Sequence, residues 1–251
     1  MATTTSTSPP SFADPPFVDG THLSGGGTVR WCFTGRAQGD LSEAAAVAVT
    51  RLGTGLGVPI HTVHQVHGAE VEVLGPDDAE DASGRPVSTT EADGIVTAQG
   101  GVALGVRTAD CAPVLMWGET PDGRAVVGAA HAGWAGLVAG IVESTAESMR
   151  GLGAGGLHAV LGPCIGPECY RFGAPELETV AGRFGDRVRS TTSDGHAALD
   201  LRAAVDAACR LAGVSPVDRP TPPCTACGGG HYSHRARVER ERQLSLVWVA
   251  S

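Results

Sequence analysis

Two histidines and one cysteine stand where side chains most readily do chemistry. His67 lies in the turn Gln65-Val-His-Gly68, just after a strand-like run. Cys111 closes Thr108-Ala-Asp-Cys111, which follows the apolar run Val102 to Val106. His131 sits where the run Ala125 to Ala130 meets a helix that starts near Trp134. All three fall at predicted strand ends beside Gly or other small residues, where functional groups gather. Two imidazoles and a thiolate make a zinc set, and three protein ligands with a fourth position open is the catalytic pattern. The intervals of 44 and then 20 residues do not show that these side chains meet. From the residues alone, a buried cysteine with two capping histidines is the simpler reading.

A second cluster, Cys224-Thr-Ala-Cys227-Gly-Gly-Gly-His231-Tyr-Ser-His234, places four possible ligands in eleven residues. Cys-x2-Cys is a good half-site, but two-Cys two-His fingers need about a dozen residues between the pairs. Only three glycines intervene here, so a site closed by these four is cramped. The expectation is a flexible Gly loop near the active site, with Cys227, His231 and His234 incidental. Cys164 and Cys169, in the Pro-bounded stretch Gly162-Pro-Cys-Ile-Gly-Pro167 and just beyond it, lack redox spacing and read as parts of a backbone-shaping loop.

The elements that must hold these groups are short and Gly-bounded. Strands are expected at Val29 to Phe33, His61 to His64, Val71 to Leu74, Gly94 to Thr97, Val102 to Val106, Ala125 to Ala130, Leu157 to Leu161 and Gln243 to Val249. Helices are expected at Leu41 to Leu52, Ala174 to Phe184 and Leu201 to Ala212. Another is expected from Trp134 to Met149, where apolar residues recur at i, i+3, i+4 and i+7. Pro76 to Thr90 reads as an acidic loop. Strands and helices mix without strict alternation, which predicts one α+β domain with mixed β-sheets packed together and helices outside.

Composition narrows the chemistry. The 251 residues suit one large domain, and 42% apolar with 18% charged is ordinary for a globular protein. A net charge of −9 argues against nucleic acid as partner. All 18 basic residues are Arg. The missing Lys excludes Schiff-base chemistry and a phosphate loop ending in Gly-Lys. There is no Gly-x-Gly-x-x-Gly between strand and helix and no Gly-x-Ser-x-Gly elbow, so neither a dinucleotide fold nor a serine hydrolase has support. No apolar run reaches a membrane-spanning length, and residues 1 to 28 resemble a disordered lead without signal-peptide character. A cytoplasmic location with reduced thiols is the expectation.

Six motifs in order then resemble one family. They are Gln65-Val-His-Gly68, Asp93-Gly-Ile-Val-Thr97, Thr108-Ala-Asp-Cys-Ala-Pro-Val-Leu115, His131-Ala-Gly-Trp134, Gly162-Pro-Cys-Ile-Gly-Pro167 and Tyr232-Ser-His-Arg235. From about Val29 to Val249 the chain resembles the laccase-domain proteins, also called multicopper polyphenol oxidoreductases, purine nucleoside phosphorylases or peptidoglycan editing factors. The resemblance implies a domain over 29–251 and a zinc (or copper) ion on His67, Cys111 and His131. It also implies phosphorolysis of adenosine, inosine and methylthioadenosine, with adenosine deamination as a companion. Asp110, beside Cys111, then orients a ligand, takes a proton or simply shapes the turn.

Departures from the family fall on its arginines. Arg36, Arg235 and Arg242 match and are expected to bind substrate, whereas Val49, Ala135 and Ala236 stand where the family has Arg. Each lost charge-assisted contact is worth roughly 1.5–3 kcal/mol. A thinned phosphate shell is therefore expected, with shallow phosphate dependence that Val49→Arg and Ala135→Arg would reverse. Other readings remain open: a hydrolase or amidase on a peptidoglycan precursor with Cys111 as nucleophile and His131 as base, a copper-dependent phenol oxidase, or a non-catalytic binding protein.

Overall fold

The computed structural model describes residues 18–25, 27–75 and 87–250. In chain order its first strands are β1 (Val18–His22), β2 (Thr28–Phe33), β3 (Ile60–His64), β4 (Val71–Val73) and β5 (Val87–Glu91). Next come β6 (Gly94–Thr97), β7 (Ala103–Thr108), β8 (Ala112–Glu119), β9 (Ala125–Ala132) and β10 (Gly155–Leu161). The last are β11 (Arg189–Thr191), β12 (Ala197–Leu199), β13 (Ser215–Pro216) and β14 (Gln243–Ala250). The helices are α1 (Ala46–Leu56), α2 (Trp134–Ala139), α3 (Ile141–Gly151), α4 (Ala174–Phe184), α5 (Leu201–Leu211) and α6 (His234–Arg237).

Two six-stranded mixed sheets, β1-β2-β14-β7-β3-β5 and β13-β10-β8-β9-β6-β4, form the α+β architecture expected from the sequence. Their facing sides share one apolar cluster, in which Trp31, Leu104 and Val247 of the first sheet meet Leu115, Trp117 and Val127 of the second. Both sheets are covered outside. Val49 and Leu52 of α1 close the first over Leu244 and Leu246. Ile141, Val142 and Met149 of α3, with α4 and α5, close the second. Strands buried on both faces read as unbroken apolar runs, as in Ala112-Pro-Val-Leu-Met-Trp of β8.

Three differences from the sequence expectation have local causes. The helix expected from Trp134 to Met149 is two helices, because Gly140 takes φ 98° and caps the first through its N–H to the Gly136 carbonyl. Such a left-handed residue ends a helix at little cost only when it is Gly. The stretch read as a loop through Thr90 ends in β5, which pairs in parallel with β3; residues 76–86 lie outside the described residues. The disordered lead expected over residues 1 to 28 is corrected at its far end, while residues 1–17 lie outside the described residues. Residues 18–22 form β1, antiparallel to β2, and Ser24 and Gly25 both donate to Glu119 at 2.8 Å.

That edge carries a stability prediction. Truncation through residue 28 removes β1, its pairing with β2 and the Glu119 contacts, and should lower the melting temperature by several degrees. About 2–4 °C per kcal/mol applies to a chain of this size. An unchanged melting curve would mean that β1 adds nothing to stability.

Candidate metal centre and its pocket

The site begins with a pairing of strands. β8 and β9 run antiparallel with Pro113 opposite His131, so Cys111, just before β8, lies beside His131 near the end of β9. His67 arrives from the turn after β3 with φ 62°, and Asp110 precedes Cys111 with φ 101°. Left-handed backbone at non-Gly residues is strained and concentrates at functional sites. A Cβ on Gly133 would lie 3.1 Å from both Cys111 Sγ and His67 Cδ2, so a side chain there would press on these two groups and require them to shift by a few tenths of an ångström.

Cys111 Sγ stands 3.9 Å from His67 Nε2, and the His67 and His131 rings meet edge to face at 4.7 Å. One donor atom from each of His67, Cys111 and His131 lies within 4.8 Å of the others, close enough to hold a metal ion. A tetrahedral zinc needs about 3.5 Å between its sulfur and nitrogen ligands, so small rotations suffice. The three residues, whose convergence the family resemblance implied and their spacing did not show, lie together in space.

Behind them stands a residue that sequence reasoning passed over. Asp93, fully buried, takes His131 Nδ1 at 2.7 Å on one carboxylate oxygen. Its other oxygen accepts the Gly68 N–H at 2.6 Å and the Val66 N–H at 3.1 Å, which pins the His67 turn. One carboxylate therefore orients two of the three candidate ligands and leaves His131 Nε2 for the centre, the arrangement that fixes metal-binding histidines elsewhere. An Asp before Gly reads in sequence as a turn residue, and only its burial reveals the role.

The electrostatics agree. Burial pushes the Cys111 thiol up, but His131 and His67 beside it outweigh burial and bring it down to about 6. Burial likewise opposes charge on His131, and Cys111 with Asp93 overcomes it and raises the imidazole to about 9. Between these values the ion-free centre holds a thiolate beside an imidazolium, a state that readily exchanges a proton for a metal ion.

The centre floors a cavity of about 650 Å³ walled in part by Gln65, Arg107, Tyr170, His234, Arg235 and Arg242. Of the arginines expected to bind substrate, Arg235 and Arg242 are in this wall. Arg36 is not: its guanidinium pairs with Glu239, donates to the His231 carbonyl at 3.2 Å and covers the Tyr232 ring. Val49, matched to a family Arg, is buried among Leu52, Ile60 and Leu246, so an arginine there would enter the core and restore no anion contact. Ala135 is half-buried in α2 and Ala236 is exposed in α6. His234, expected to be incidental, lines the cavity, whereas Cys227 and His231 do not.

Asp110 is committed elsewhere. Its carboxylate accepts the Thr225 hydroxyl at 2.6 Å and the Arg235 N–H at 2.6 Å, tying the Cys224 loop and α6 to the turn that carries Cys111. That favours positioning over the proton transfer considered from sequence. Arg107 is the residue sequence missed on the anion side. It is 5% exposed, its Nε donates to the Leu41 carbonyl, and both terminal amino groups have no hydrogen-bond partner among the described residues. The hydroxyl of the adjoining Thr108, also in the cavity wall, is unpartnered as well. Unsatisfied buried donors beside a cavity are costly unless a ligand takes them.

Comparison with known proteins shows the family and the fold. The family described as multi-copper polyphenol oxidoreductase laccase matches residues 29–250. The chain belongs to this family. It is 38% identical over 222 residues to purine nucleoside phosphorylase ORF3 of Streptomyces griseus, covering 86% of this chain and 85% of that one. It is 36% identical over 217 residues to a purine nucleoside phosphorylase of Mycobacterium tuberculosis, covering 84% and 82%. A Neisseria meningitidis protein of known structure has the same fold at 24% identity and TM-score 0.72, covering 95% of this chain and all of the other. YlmD from Geobacillus stearothermophilus also shares it, at 24% identity and TM-score 0.68, with 91% and 93% covered. No helix among the described residues is long and apolar enough to cross a membrane.

Proposed function

We propose that this laccase-family chain is a cytoplasmic, zinc-dependent purine nucleoside phosphorylase. Its proposed substrates are adenosine, inosine or methylthioadenosine with phosphate, and adenosine deamination is a secondary activity of the same centre. The observation that carries the reading is the three-ligand set His67, Cys111 and His131, locked by Asp93 and facing a cavity whose wall contains Arg107, Arg235 and Arg242. Two nitrogens and one sulfur suit zinc, which supplies Lewis acidity when bound, and the cavity side stays open for substrate. Asp93 keeps His131 in one tautomer. Arg235 and Arg242 supply positive charge where phosphate enters, and Arg107, near the charges of Glu43 and Asp40, offers two amino groups that have no hydrogen-bond partner among the described residues. The names of the relatives at 36% and 38% identity support the same substrate class.

Arg107 changes the expectation drawn from the missing family arginines. An anion contact absent from positions 49, 135 and 236 is offered from β7 instead, so phosphate dependence should be pronounced. Arg107→Ala should raise the KM for phosphate by roughly 10- to 100-fold, the equivalent of one charged hydrogen-bonding group at about 1.5–3 kcal/mol, while the KM for nucleoside changes little. Arg107→Lys should recover part of the loss. Equal KM values for phosphate in native protein and Arg107→Ala would remove Arg107 from the phosphate site.

One observation favours a second reading. A Cys111 thiolate beside an imidazolium is also the resting state of a cysteine hydrolase. Chelation separates the two, since a nucleophilic Cys111 works without metal and is silenced by alkylation. A multinuclear copper centre has less support. Between them, the two metal-capable groups among the described residues contain two histidines, fewer than a trinuclear copper cluster needs.

A further inference from the structure

The proposed function makes no use of Cys169, Cys224 and Cys227, and the fold brings them together. The loop after β10 and the segment before α6 run side by side. Cys164 and Cys224 form a parallel bridge, and the Thr225 N–H donates to the Cys164 carbonyl at 3.2 Å. This pairing sets Cys169 Sγ 3.3 Å from Cys227 Sγ, and Cys227 Sγ 3.3 Å from Glu168 Oε1. One donor atom from each of Glu168, Cys169, Cys224 and Cys227 lies within 4.8 Å of the other three. His231 and His234, the partners first considered for the Cys224 pair, are not in the group.

We propose that Glu168, Cys169, Cys224 and Cys227 form a second metal site, a closed structural one that takes zinc. Three sulfurs and one carboxylate oxygen complete a tetrahedral shell from protein alone, the pattern of structural rather than catalytic zinc. Ligand separations in such a shell are about 3.6–3.8 Å, so the observed contacts need only a small expansion around the ion. Cys224-Thr-Ala-Cys227 supplies a Cys-x2-Cys half-site and the short helical turn at Pro167–Cys169 supplies the other half. The Gly166 N–H already points at Cys224 Sγ, at 3.2 Å, as a backbone donor does toward a metal thiolate.

Ion binding here is a simple exchange. The three thiols lose their protons to solvent as the sulfur–metal bonds form, and no oxidant is consumed. The resulting excess negative charge faces Arg202, which lies close to Glu168 and Cys164. Cys164 is fully buried, with its thiol pushed up to about 12 by burial, and stays outside the set. The site staples the Gly162–Tyr170 loop to the segment whose Thr225 holds Asp110. It thereby braces the turn carrying Cys111 and the cavity wall at Tyr170.

The proposal is independent of the nucleoside reading, and metal counting keeps the two apart. Full-length protein purified without a metal-affinity tag should carry two zinc ions per chain by elemental mass spectrometry. Cys169→Ser and Cys227→Ser should each lose one ion and keep the other, while His67→Ala loses the complementary one. If native protein holds a single ion that His67→Ala retains and Cys227→Ser releases, this site stands and the catalytic-metal reading fails. Unchanged metal content in both serine variants overturns the proposal. So does an intact mass two hydrogens lighter than the reduced chain, mapping to a Cys169–Cys227 disulfide. Should the serine variants not fold, cobalt titration of Cys111→Ser answers instead. That variant has lost the thiolate of the first centre, so the near-ultraviolet thiolate-to-cobalt band should persist, and its absence rejects the site.

Discussion

Replacing His131 by alanine should empty the first centre of metal and lower purine nucleoside turnover by about a thousandfold or more. The magnitude follows because Lewis-acid stabilisation is worth several kcal/mol and about 1.4 kcal/mol is a factor of ten. The same change strips the buried Asp93 of its partner, and breaking a buried charged pair costs about 3–5 kcal/mol. Stability and activity therefore fall together in His131→Ala. In His67→Ala they separate, because His67 is exposed at a turn and its removal leaves the buried Asp93–His131 pair intact. Paired measurements of metal content, turnover and melting temperature check this. Full metal occupancy in either variant would contradict the ligand assignment.

The second large effect is expected at Asp93, which touches no substrate. Asp93→Asn keeps the shape and removes the charge, and should weaken metal binding about 10- to 100-fold, as loss of an outer partner of a ligating histidine does. A pH readout isolates the mechanism. In metal-stripped native protein the Cys111 thiolate persists down to about 6, so alkylation at Cys111, followed by peptide mass spectrometry, should fall only as the pH drops through that value. The Asp93 carboxylate helps hold His131 protonated, and the imidazolium in turn stabilises the thiolate. Removing that carboxylate lowers the His131 value and raises that of Cys111, so the alkylation midpoint should move to higher pH. A purely structural Asp93 would lower the melting temperature without moving that midpoint.

How much of this was legible in the sequence depended on the range of the interaction. His67, Cys111 and His131 stood out because each sits at a predicted strand end beside Gly or another small residue, a local feature. Their meeting was not legible, since it depends on the β8–β9 register and on the His67 turn reaching Asp93. β8 itself went unread as a strand: its apolar run has no alternation, because both of its faces are buried. Arg107 was hidden for a related reason, being a charged residue inside an apolar strand whose orphaned amino groups show only in three dimensions. Val49 illustrates the reverse case. Its match to a family arginine carried no information on packing, whereas helical periodicity puts Val49 and Leu52 together on the core face of α1. Cys169 and Cys224 lie 55 residues apart, too far for spacing to suggest that they converge.

One measurement tests the central claim most directly. Zinc-loaded native protein, incubated with adenosine or inosine over a series of phosphate concentrations, should release purine base and ribose 1-phosphate in equal amounts, at a rate that saturates with phosphate. Cleavage that ignores phosphate and yields free ribose, or no conversion of any purine nucleoside by protein with its first centre filled, would contradict it.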